Sequence, residues 1–153
     1  MSARTRTNQL LYQAELLIET PVQNDEHAVT RQLAIEEGAL ALFELALESF
    51  LAEVTEHARL DTRRWQTLLG ADGPALAELI RLRELAVQPE SWLGWLVGKL
   101  MTLHGDQGAA KRPVHNPSMI ALDRETSLAP TLHQHVQAAK REMAALRETS
   151  HEW

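Results

Sequence analysis

No cysteine occurs among the 153 residues, which excludes a disulfide framework, a thiolate metal site and a thiol nucleophile. That absence points to the cytoplasm. Aromatic residues make up only 5% of the chain, Val and Ile are sparse, and no run of alternating polar and apolar residues marks a strand. Long hydrophobic runs are missing too. The most apolar window, from Trp92 to Leu103, is 12 residues long and contains Lys99, whereas a membrane span needs about 20 apolar residues. The start, from Met1 to Asn8, is polar and leads directly into an amphipathic segment, so neither an export signal nor membrane association is expected. The chain also lacks a Gly-x-Ser-x-Gly elbow, a phosphate-cradling glycine loop, a dinucleotide fingerprint and an internal repeat.

Leu, Ala, Glu, Gln and Arg dominate, with apolar residues at helical spacing. The predicted fold is all-α: an irregular bundle of five to six helices around one long central helix, forming a single domain over residues 1–153. A chain of this size can bury roughly 70% of its unfolded surface without metals or disulfides.

A first helix is predicted over residues 4–19, with Leu10, Ala14 and Leu17 on one stripe, ended by Thr20-Pro21. A second is predicted from Asn24 or Asp25, either of which can cap it, to about Arg59. Leu40, Phe43, Leu47, Phe50 and Val54 follow a four-three repeat, and Ile35, Ala39, Leu42 and Ala46 widen the apolar face. The remaining strip, Glu37, Ala41, Glu44 and Glu48, is expected to be wetted. Gly38 marks either a close contact or a bend. About 35 residues at 1.5 Å each make roughly 50 Å of helix, against a domain width of about 40 Å, so this helix is expected to overhang, bend or fray.

A short helix from Asp61 to Leu69 is predicted next, then one from Gly73-Pro74 to Val87, then one from Pro89 to His104. In the last of these, Gly94 and Gly98 lie four apart on a face flanked by Trp92 and Trp95. Residues 105–129 lose periodicity and read as a long irregular connection, with Met119 to Leu122 pinned to the core. A final helix is predicted over residues 130–149, with Leu132, Val136, Ala139, Met143 and Leu146 at four-three spacing.

The net charge of -6 is unevenly placed. Residues 21–60 hold eight acids (Asp25, Glu26, Glu36, Glu37, Glu44, Glu48, Glu53 and Glu56) against Arg31 and Arg59, and the rest of the chain balances. The second helix therefore carries the whole excess.

Candidate chemistry is thin. Helical di-iron sites use two Glu-x-x-His motifs with further glutamates, and only Glu148 and His151 have that spacing. Glu53 and His57 share a helical face and could supply half a site, but a surface pair near a helix end is the plainer reading. His133 and His135, two apart on a helix, point in different directions. No metal, cofactor or catalytic residue is assigned. Arg63 and Arg64 beside Trp65 are candidate nucleic-acid contacts, although a pI near 5.6 does not favour that class. Glu37, Glu44, Glu48, His57, Trp92 and Trp95 form the candidate partner-facing or polar site.

The segments Arg6 to Tyr12 (RTNQLLY), Glu36 to Leu47 (EEGALALFELAL) and Glu84 to Leu96 (ELAVQPESWLGWL) resemble a family of small proteobacterial proteins of unknown function. The resemblance implies a bacterial, cytoplasmic, helical protein and transfers no site residue. The function expected from the residues is a non-enzymatic interaction or scaffold domain, self-associating or docking a protein through the second helix. The alternatives are a metal-dependent enzyme or small-ligand protein with a site between helices, and a weak nucleic-acid binder.

Overall fold

The structure is a computed structural model that describes residues 1–110 and 127–150. Among these residues it is helical without strands: α1 (Ala3–Glu19), α2 (Ala28–Val54), a 3-10 turn (Glu56–Ala58), α3 (Trp65–Leu68), α4 (Ala77–Ala86), α5 (Trp92–Leu103) and α6 (Leu128–Ser150). No helix among the described residues is long and apolar enough to cross a membrane.

The Ser2 hydroxyl caps α1 by accepting the Thr5 amide at 3.1 Å, one of the first-turn donors a helix cannot satisfy itself. α1 then runs antiparallel to α2. Near one end of the pair, Thr7 Oγ1 lies 2.8 Å from Ser49 Oγ, and both hydroxyls reach the Ala3 carbonyl. Near the other, Leu17 presses on Gly38, where a methyl group would sit 3.2 Å from its Cδ2. Gly38 thus serves close approach, and α2 passes through it as one uninterrupted helix.

α2 is shorter than its sequence pattern promised. Its 27 residues make roughly 40 Å of helix, about the width of a domain of this size, so the expected overhang disappears. At the front, the Asp25 carboxylate accepts the His27 amide at 2.9 Å, holding a turn ahead of the helix rather than extending it. At the back, the Thr55 hydroxyl donates to the Leu51 carbonyl, and the chain tightens into the 3-10 turn. Arg59 follows in the left-handed conformation at φ 50° and turns the backbone away.

Inside, Ala39, Leu40, Phe43, Ala46, Leu47, Phe50 and Leu51 are wholly buried. They meet α1, α3, α5 and α6, so α2 is the hub onto which the other layers close. Burying each large apolar side chain contributes about 1.5–3 kcal/mol, which explains why the most continuous apolar face belongs to the helix with most neighbours.

The remaining boundaries differ by local chemistry. Residues 61–64 are not helical: the Thr62 hydroxyl accepts the Arg64 amide, and α3 is a single turn. α4 begins at Ala77 instead of Pro74, because the Arg83 guanidinium donates to the carbonyls of Leu68 and Pro74 and holds the preceding bend. Ser91, not Pro89, caps α5 by accepting the Gly94 amide. α6 starts at Leu128, with Pro130 in its first turn, where its missing amide costs nothing. Of the predicted connection, residues 105–110 and 127–129 are described, the last two of them already within α6; the Met119 to Leu122 anchor lies outside the described residues.

Candidate functional site on the second helix

The carboxylates of α2 are not a solvated strip. Glu44 accepts the Trp65 indole N–H at 2.8 Å, and His104 Nε2 stands 2.8 Å from the same carboxylate oxygen. Glu48, one turn on, accepts the Trp65 backbone amide at 3.1 Å. Glu37, two turns before Glu44, accepts the Ala110 amide at 3.3 Å. Its carboxylate also lies where any side chain on Gly108 would have to go, and Gly108 has a positive φ of 74°, so both space and backbone conformation call for glycine there.

Two more acids point inward on other faces. Glu53 receives the Arg147 guanidinium through Nε and, at 3.0 Å, through Nη2, with side chains only 14% and 11% exposed. Arg147 also lies over the Phe50 ring. Glu36 is buried against Gln32 and Ser127. Five of the eight acids that set the net charge thus fasten other parts of the chain to α2, where low local dielectric strengthens each contact.

This use of the acids leaves a different surface open. Ala34, Ala41 and Leu45 are exposed, and Ala52 is half-buried. By the helical period these four residues share one face, with the Glu37–Glu44–Glu48 row on one flank and the α1 contacts at Gly38 and Ser49 on the other. Leu45 keeps 49% of its surface exposed.

At Ala52 the strip runs into an open hollow of about 410 Å³, lined also by Thr55, Glu56, Arg59, Leu60 and residues 61–64. Arg59, Arg63 and Arg64 are exposed, and among the described residues none has a recorded ion pair or side-chain hydrogen bond. Arg59 is also the one non-glycine residue with positive φ among the described residues.

The other candidate residues separate. His57 is exposed on the 3-10 turn, and its expected partner Glu53 is turned to Arg147. Trp92 is 2% exposed; it sits in the core beside Phe43, at a centroid distance of 6.2 Å, and donates its indole N–H to Glu142 at 2.8 Å. It is therefore an interior residue rather than a partner-facing one. Trp95 is half-buried and stacks on His135 at 4.5 Å and 18°, and burial pushes the His135 imidazole below its ordinary value of 6.5. The two glycines of α5 part as well: Gly94 is tight against the backbone of Gln88, while Gly98 faces open space.

Sequence reasoning missed His104, Gly108 and Glu142. His104 is 60 residues from Glu44, a separation at which no local spacing signals contact. No group of three or more metal-ligating side chains occurs among the described residues; Glu148 is described, but its spaced partner His151 lies outside them.

A family model, described as a family of unknown function (DUF6586), matches residues 1–153, and the chain belongs to that family. No curated protein and no solved structure matches it.

Proposed function

We propose that the chain is a non-enzymatic interaction domain that docks a protein partner on the open strip of α2. One observation carries this reading: a helix that holds five of the eight acids behind the net charge presents an uncharged outward strip, Ala34, Ala41, Leu45 and Ala52, because its central carboxylates are engaged with neighbouring segments. A strip that served only as a solvated surface would have no reason to exclude charge, whereas one that receives another helix gains from small and apolar side chains. Tyr12 and Leu16 on α1 are also exposed and, in the antiparallel pairing of α1 with α2, lie level with the middle of the strip. A bacterial cytoplasmic setting belongs to the same proposal.

The test is site-specific photo-cross-linking in the native host, with a photoreactive residue at position 45 and, as control, at position 80, where Ile80 is comparably exposed on α4. A protein adduct at position 45 that is absent at position 80 is the expected result. Equal or no labelling at the two positions removes the reading.

A further inference from the structure

We infer that the occupant of the α2 strip is a second copy of this chain, paired antiparallel so that the acidic turn ahead of one α2, Asp25-Glu26, meets the arginine-lined hollow at the end of the other. This rests on the docking role proposed for the strip. The carrying observation is its register: positions 34, 41, 45 and 52 are symmetric about position 43. A two-fold axis at that level places Ala34 opposite Ala52 and Ala41 opposite Leu45, so a methyl side chain faces a larger one at both central contacts. An isologous interface requires this kind of self-complementarity.

Charge follows the same register. The operation that pairs Ala34 with Ala52 brings the start of one α2, with the Asp25–His27 turn ahead of it, to the end of the other, where the hollow opens. Glu26 is exposed, with only a 3.4 Å contact to the exposed His27, and Asp25 lies beside it, held by Arg31. Across from them stand Arg59, Arg63 and Arg64, which lack acceptors among the described residues of their own chain. Glu56 and Asp61 share the hollow's rim, so by itself it holds an excess of one positive charge, and the incoming Asp25-Glu26 corner supplies the missing acceptors. The contact occurs twice in the dimer. A parallel pairing would instead place arginine end on arginine end and acid end on acid end, which like charges disfavour.

The absence of cysteine makes a direct test clean. Chains carrying Ala34→Cys, mixed with differently tagged chains carrying Ala52→Cys, form a mixed disulfide under mild oxidation. Chains carrying Ala34→Cys alone do not, because their thiols lie roughly 27 Å apart along the antiparallel pair. In sedimentation equilibrium the unmodified chain doubles its mass with rising concentration, and added salt reverses the doubling. Glu26→Arg raises the dissociation constant about tenfold, and adding Arg63→Glu restores much of it, as simple loss of folding would not. Cross-linking of Ala34→Cys to itself, or a monomer at every concentration, overturns the inference. If the position-45 adduct then contains a different protein, the docking role stands and only the self-pairing fails; with no adduct at all, both fall.

Discussion

Two faces of α2, a few residues apart around one helix, are built on opposite plans. The carboxylate face is engaged: Glu37 fastens Gly108 to Ala110, Glu44 fastens Trp65 and His104, and Glu48 fastens α3. The strip beside it, centred on Ala41 and Leu45, touches little and is open. Charge ordinarily marks the wet side of a helix and apolar residues the dry side. Here a row of acids is turned toward chain segments rich in N–H donors, and the wet side is left apolar. An acidic row is therefore not by itself a sign of solvent, since unsatisfied amides and indole N–H groups nearby recruit it.

Substitutions on the two faces should therefore differ most in where their cost appears. The largest effect belongs to the inward acid Glu53: Glu53→Ala strands the mostly buried Arg147 guanidinium, and denaturant unfolding should register a loss of about 3 kcal/mol. A loss below about 1 kcal/mol would show that Arg147 finds water or another acceptor. Glu44→Ala comes next, at about 1–3 kcal/mol, because the Trp65 indole N–H loses its acceptor, and tryptophan fluorescence should shift with it. Gly108→Ala combines a strained positive φ with a clash against Glu37, and is expected to cost about 1–2 kcal/mol, with accelerated amide exchange at Ala110. Leu45→Ala on the open strip should change the unfolding free energy of the isolated chain by less than about 0.5 kcal/mol. A larger loss at low protein concentration would mean that the strip supports the monomer itself, and the contrast between the faces would fail.

Acidity probes a third region. Burial lowers the His135 pKa, so the unfolded chain, titrating near 6.5, takes up this proton before the folded chain does. The His135 contribution to stability is complete above that pH and declines as pH falls below it, until the folded imidazole is itself protonated. His135→Phe keeps a ring against Trp95 and should flatten the stability profile in this window; an unchanged profile would assign the acid sensitivity to other groups. Asp25 acts lower on the scale. Its carboxyl is held below its ordinary 3.8, first by Arg31 and then by the His27 amide, so its contribution survives to more acid pH and is lost as pH drops through its folded value.

Much of the fold was legible because helical periodicity is local. The four-three repeat of Leu40, Phe43, Leu47, Phe50 and Val54 identified the buried face of α2, and Leu132, Val136, Ala139 and Met143 did the same for α6. Helix ends were less legible, because caps compete: Asp25, Ser91 and Arg83 each redirected a boundary by a hydrogen bond whose partner is not evident from spacing alone. The candidate site was legible only in part. Glu37, Glu44 and Glu48 stood out as one row, but their donors come from residues 17 to 73 positions away.

Sequence alone determined that this chain is helical, that residues 21–60 carry its net charge and α2 within them its main apolar face, and that cysteine chemistry is excluded, because each follows from residue type and a period of a few residues. Only the tertiary structure decided which side of α2 is open. That outcome depends on where Trp65, His104 and Ala110 arrive in space, and a carboxylate points to solvent or to a neighbour according to the donors the fold brings beside it.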